Sequence, residues 1–267
     1  MVAVGDIACR PGKKQTAIEC HQRETSDLAL RLDPDIVLLL GDLQYERGEL
    51  ANFNAVFAPT WGRLLTRTRP APGNHEYATK NGAGYYGYFG ARAHPAQRGW
   101  YSFSTPTGWH LVALNSNCAA VGGCAVGSPQ ERWLRTDLKR STARCTLAYW
   151  HHPRFSSGLH GSAPEMAPLY DALHDAGAEL VLTGHDHDYE RFAPLDADGR
   201  PGHIRQFVVG TGGRSAYSFK QPISGSEARH TGTFGVLSLE LSRSGYSWRF
   251  VPVRDGGFTD SGRADCS

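Results

Sequence analysis

The chain has 267 residues, 40% of them apolar and 20% charged, the profile of an ordinary globular protein long enough to bury its own core. Lys plus Arg number 28 against 26 Asp plus Glu, and a net charge of +2 gives no reason to expect nucleic acid or an anionic membrane as partner. The longest apolar run, Ile36 to Leu40, falls far short of the ~20 residues of a membrane span, and the composition excludes collagen-like and disordered classes.

Val2 to Asp6 reads as a short buried strand ending in a turn. Thr25 to Leu32 has apolar residues at helical spacing, and Ile36 to Leu40 is a continuous apolar run of the kind found in a sheet covered on both faces. Glu49 to Phe57 is expected to be a helix, and Arg69 to Gly73 enters another turn. Tyr101 to Phe103, His110 to Leu114 and Cys145 to Trp150 read as strands. Between them, Pro129 to Lys139 reads as a helix capped by Ser128. Pro164 to Ala176 is a helix ended by Gly177, and Glu179 to Leu182 a strand. From Ile204 onward the pattern is β-rich: Gln206 to Val209, Phe234 to Leu241 and Tyr246 to Val253. Helices and strands alternate at first and strands dominate later, which implies a layered α/β protein with a partly antiparallel second sheet. No linker or repeat divides it, so residues 1–267 are expected to form a single domain.

The six cysteines include no Cys-x-x-Cys pair, and their even number points to disulfides and an oxidising compartment. They allow 15 connectivities. Proximity favours Cys118–Cys124 and Cys9–Cys20, which leaves Cys145–Cys266; the alternative is six reduced thiols in a cytosolic protein. Met1 stands directly against the first apolar run, as if it replaced a removed signal segment. A secreted or periplasmic location is expected.

Five short polar groups follow expected strands: Gly5-Asp6; Gly41-Asp42 with Tyr45; Gly73-Asn74-His75-Glu76; His151-His152; and Gly184-His185-Asp186-His187. Ligands of α/β sheets bind beyond the carboxyl ends of strands, so five such groups point to one shared site. Singly, each group could be a turn or a helix cap. Together they supply hard oxygen and borderline nitrogen donors suited to first-row metals. They are too many for one tetrahedral zinc, and two adjacent ions fit better.

In this order the five groups resemble the calcineurin-like metallophosphoesterases, and more closely the purple acid phosphatases. The likeness spans residues 1 to about 215, takes in Asp188-Tyr189-Glu190-Arg191, and is similar to short bacterial members. It implies a four-layer α-β-β-α sandwich, two mixed sheets packed face to face with helices outside. Most metallophosphoesterases carry Asp-x-His in the first group; here the third position is Ala8. Tyr45 stands where the purple acid phosphatases place a ligand tyrosine on a ferric ion. The resemblance gives one metal to Asp6, Asp42, Tyr45 and His187, and the other to Asp42, Asn74, His151 and His185, with Asp42 bridging. The ions implied are Fe(III) plus a divalent ion, Zn, Fe or Mn.

The activity implied is hydrolysis of a small phosphorylated substrate, most simply a phosphomonoester, by a metal-activated hydroxide. His75 and His160 are the expected catalytic residues, stabilising the transition state and protonating the leaving group. His152 should point to the other side of its strand unless the strand has ended, while Glu76 and Asp186 should support turns. The aromatic cluster Tyr85, Tyr86, Tyr88 and Phe89 is expected to pack in the core. A phosphodiesterase would use the same site. A catalytically silent metal- or phosphate-binding protein is a third reading, and the full set of candidate ligands argues against it.

Overall fold

The computed structural model describes residues 1–266. Its strands are β1 (Val2–Val4), β2 (Val37–Leu40), β3 (Thr68–Ala71), β4 (Tyr101–Ser104), β5 (His110–Ala113), β6 (Thr146–Tyr149), β7 (Leu180–Thr183), β8 (Tyr189–Leu195), β9 (Ile204–Val209), β10 (Ser226–His230), β11 (Gly235–Leu241), β12 (Gly245–Pro252) and β13 (Ser261–Asp265). One six-stranded sheet has the order β13-β12-β11-β1-β2-β3, and a seven-stranded sheet the order β10-β8-β9-β7-β6-β5-β4. Both are mixed: β1, β2 and β3 run parallel, as do β5, β6, β7 and β9, while the remaining pairs are antiparallel.

Side-chain alternation along the seven-stranded sheet explains the layers. Leu147, Tyr149, Leu180, Leu182, Phe207 and Val209 join Val4, Leu39, Val236 and Phe250 of the other sheet in one core. The intervening Ala148, Trp150, Val181 and Val208 face away, into a second core with Leu134, Leu138, Leu169 and Leu173 of the helices Pro129–Arg140 and Ala167–Asp175. In β2 every residue is buried, because Leu28 and Ala29 of the helix Gln22–Leu32 join the same core. Truncating Leu147 or Leu182 to Ala would cost about 2–5 kcal/mol through the cavity left behind. The expected layered sandwich is therefore the fold observed. Among the described residues, no helix is long and apolar enough to cross a membrane.

Local signals act as expected at several points. Ser128 accepts a hydrogen bond from the Glu131 backbone N–H and caps its helix. Gly177, at φ 75°, ends the helix before β7. Tyr85 and Phe89 are buried in the first core with Tyr86 and Tyr88 packed against it. Other points differ. Residues 68–71 form a strand, not only the approach to a turn; Pro70 is tolerated because β3 lies at the sheet edge. The helix expected over Glu49 to Phe57 is one α-turn, Leu50–Asn52, followed by a π-helical Phe53–Phe57.

The cysteines pair as expected, the two pairs near in sequence and the one left over: Cys9–Cys20, Cys118–Cys124 and Cys145–Cys266, with Cα atoms 5.4, 5.2 and 5.7 Å apart. No free cysteine remains among the described residues.

Candidate metal centre

Each of the five polar groups begins just beyond the carboxyl end of a strand: β1, β2 and β3 of one sheet, β6 and β7 of the other. The segments after β1 and β2 continue side by side. Asp6, Ile7 and Ala8 donate to the carbonyls of Gly41, Asp42 and Leu43 at 3.0–3.1 Å, and Tyr45 donates to the Ala8 carbonyl at 2.8 Å. This backbone register brings Asp6, Asp42 and Tyr45 together. Asp6, Asp42 and His185 adopt positive φ angles of 61°, 51° and 75°. Such backbones cost on the order of 1–3 kcal/mol each in non-glycine residues and persist where the surroundings hold them. Two glycines permit the close approach: a Cβ on Gly73 would lie 2.1 Å from Asp42 Oδ1, and one on Gly184 2.6 Å from Asp6 Oδ2.

The donors form two groups sharing Asp42. In the first, the Tyr45 hydroxyl lies 2.8 Å from Asp6 Oδ1, 3.2 Å from Asp42 Oδ2 and 3.0 Å from His187 Nε2. In the second, His151 Nε2 lies 3.2 Å from Asp42 Oδ2, 3.1 Å from Asn74 Oδ1 and 3.2 Å from His185 Nδ1. Neighbours orient the imidazoles. His151 Nδ1 donates to the Leu40 carbonyl at 2.9 Å, which leaves Nε2 as the lone-pair atom facing the other donors. His187 Nδ1 meets Ser215 Oγ at 2.7 Å.

The electrostatics suit cations. Asp6 and Asp42 are 0% and 2% exposed, and among the described residues no Lys or Arg comes within ion-pair distance of either. Burying two carboxylates without a strong counter-charge is costly. Burial, then Asp42 and Asp6, raises the Tyr45 phenol well above its ordinary value. Burial acts to lower His151, but Asp42 outweighs it and raises the imidazole to about 9. Burial and His151 lower His185, and lower His152 to about 3, leaving both neutral and able to donate a lone pair. The set of carboxylate, phenol, amide and imidazole donors fits two first-row ions.

A supporting layer holds these groups. Glu76 is fully buried; Oε2 accepts from the Gly73 and Asp42 backbone N–H groups at 2.7 and 2.9 Å, and Oε1 from Leu43 at 2.9 Å. Asp186 accepts from the Ser156 hydroxyl at 2.5 Å and the His160 N–H at 2.7 Å, and so fixes the loop that presents His160. Both carboxylates thus support turns, as expected. The His75 ring lies 4.2 Å from Tyr45, with Nε2 3.8 Å from Asp42 Oδ2, and the His160 ring lies 4.5 Å from His185.

His152 takes the side expected where its strand ends before it. Its ring lies 4.9 Å from His151 and 4.5 Å from His185, on the same side as both. Alternation does not apply, because β6 ends at Tyr149. The sequence reading overlooked two further loops. After β5, Ser116 Oγ meets His152 Nδ1 at 2.8 Å. After β9, Tyr217 stacks on His187 at 4.0 Å and the Arg214 guanidinium lies 5.0 Å from the Tyr45 ring centre. The signal was present: Gly210-Thr211-Gly212-Gly213 follows a strand, like the groups that were recognised.

The chain is similar in sequence and in fold to known proteins. Purple acid phosphatase 21 of Arabidopsis thaliana is 29% identical over 252 residues, covering 84% of this chain and 55% of that protein. The chain spans about half the length, or less, of the curated relatives it matches. In fold it is similar to the purple acid phosphatase PPD1 of yellow lupin seeds, with TM-score 0.73, 18% identity, and coverage of 98% of this chain and 52% of that one. It is also similar in fold to GAP50, the anchor in the inner membrane complex of Plasmodium, with TM-score 0.68, 14% identity, and coverage of 100% and 88%. The sequence model of the calcineurin-like phosphoesterases matches residues 2–189, and the chain belongs to that family.

Proposed function

We propose that this chain is a dinuclear-metal phosphoester hydrolase acting on phosphomonoesters in the manner of an acid phosphatase. The observation that carries the reading is the convergence of Asp6, Tyr45 and His187 on one side of Asp42, and of Asn74, His151 and His185 on the other. Asp42 would bridge the two ions. The phenol oxygen of Tyr45 is a hard donor when deprotonated, which assigns Fe(III) to its side and Zn, Fe or Mn as divalent ion to the other. When bound, the pair of ions supplies a nucleophile from water at neutral pH and neutralises phosphate oxygens.

The remaining work falls to the chain. His151 keeps its Nε2 lone pair aimed at the site through its bond to Leu40. His75 and His160 are assigned as catalytic residues, placed beside Tyr45 and His185 respectively. They hold the phosphoryl oxygens and pass a proton to the leaving oxygen. Two further assignments belong to this reading. The three disulfides support an exported enzyme, secreted or periplasmic. The donors come from strands of both sheets, which supports one catalytic domain over residues 1–267.

The test is turnover of an aryl phosphate monoester and the matching diester by protein shown by metal analysis to hold two ions. Faster monoester hydrolysis is expected. Preference for the diester would make the chain a phosphodiesterase, and hydrolysis of neither would leave a silent metal-binding protein.

A further inference from the structure

Beside the candidate metal centre, a cleft of about 550 Å³ is lined by Asn74, Tyr77, His152, Glu165 and Ala120 among others. A second cavity of about 380 Å³ adjoins it, sharing Tyr77 and Ala120 and adding Tyr86 and Arg98. Together they form a path away from the metal ligands, too large for phosphate alone and bearing a cation at its far end.

The walls of this path are built, not loose. Asn115 is fully buried, and its Nδ2 donates to the Tyr77 hydroxyl and to the Arg98 carbonyl, both at 2.7 Å. The Tyr77 and Tyr86 hydroxyls meet at 3.0 Å. The Arg98 guanidinium donates to the Val121 carbonyl at 3.0 Å. Val121 lies inside the loop closed by Cys118–Cys124, the same loop that supplies Ala119 and Ala120 to the cleft. Among the described residues, no carboxylate lies within ion-pair distance of Arg98. Glu165 lines the nearer cleft and would repel an anion there, and Arg98 is the one Lys or Arg among the residues lining the two cavities.

We propose that this path is a leaving-group subsite, in which Arg98 reads a second oxyanion, carboxylate or phosphate, carried by the organic part of the substrate. The inference rests on the phosphoester-hydrolase reading above. Tyr77 and Tyr86 offer aromatic flanks to that organic part, and the guanidinium offers paired donors to the oxyanion. An ion pair at this exposed guanidinium corresponds to about twofold to fivefold in affinity.

The test compares kcat/KM for phenyl phosphate, a carboxyphenyl phosphate and a phenylene bisphosphate. Wild-type protein is expected to favour the oxyanion-bearing esters by about twofold to fivefold, chiefly through KM; the two esters separate a carboxylate reader from a phosphate reader. In Arg98→Gln that preference is lost, and Arg98→Lys restores part of it. Ala120→Glu, at an exposed position that lines both cavities, also lowers the preference by repulsion. An absent wild-type preference, or one unchanged in Arg98→Gln and Ala120→Glu, overturns the subsite. Calorimetric binding of phenylphosphonate and carboxyphenylphosphonate separates the two failures. If two-ion protein hydrolyses no ester, the hydrolase reading fails. The subsite survives only if Arg98→Gln still selectively weakens the carboxylated phosphonate, and equal weakening of both ligands rejects it.

Discussion

The two halves of the candidate centre are built differently. On one side of Asp42, Asp6, Tyr45 and His187 are 0%, 2% and 4% exposed. Tyr45 touches all three other donors, while Tyr217 and Arg214 cover the rings from outside. On the other side, Asn74 is exposed, His185 half-buried, and the nearby His152 and Asn74 line an open cleft. The closed half is suited to retaining an ion, and the open half to an ion that shares its coordination with substrate. A catalytic dinuclear site needs both properties, and here they are separated across one carboxylate.

The sharpest way to break this comparison is to remove the shared group. Asp42→Ala is expected to lose both ions and at least three orders of magnitude in kcat/KM, about 4 kcal/mol of barrier; metal analysis with turnover checks it. Substitution in the open half is expected to do less. Asn74→Ala or His185→Ala lowers the metal content from two to one and activity by about two orders of magnitude, ~3 kcal/mol. Near-wild-type activity in both would erase the distinction between the halves. Brief chelation should likewise strip the open half first.

Tyr45→Phe probes the closed half. Any visible phenolate-to-iron absorption should vanish while the far-ultraviolet spectrum is unchanged, because the phenyl ring still fills the same buried space. A colourless wild type would assign another ion to that half. The smallest effect is on stability. The His151 imidazole is raised to about 9, so its proton stabilises the metal-free fold fully below its ordinary 6.5, and that contribution is lost as pH rises toward 9. The gain in melting temperature on adding metal is therefore larger at pH 8.5 than at pH 6. An equal gain at both would show that His151 meets no ion.

The ordered polar groups were legible because each sits within a few residues of its own strand end. Asp6, Asp42 and His185 were expected together from the joint occurrence of the groups and from the resemblance, since each alone reads equally well as a turn. Features that depend on distant partners were not. The strand status of Thr68 to Ala71 is decided by pairing with β2, against the local signal of Pro70. Short polar edge strands such as Ser226–His230 and Ser261–Asp265 alternate intermediate and exposed residues and carry little apolar periodicity. The side taken by His152 depended on where β6 ended, a single-residue question at which periodicity is weakest. The covering of Tyr45 by Arg214 joins residues far apart in sequence, and no local pattern signals it.

Cys145–Cys266 deserves a mechanical reading. Cys145 immediately precedes β6, and Cys266 immediately follows β13, so the bond pins one sheet to the other. The pin sits at the entry end of β6, whereas His151 follows its exit end, a strand length of roughly 13 Å away. Sliding of the sheets past each other would part Asp6, Asp42 and Asn74 from His151, His185 and His187. The bond works as a rivet against that shear, and the spacing of the donors is registered from the far side of the molecule.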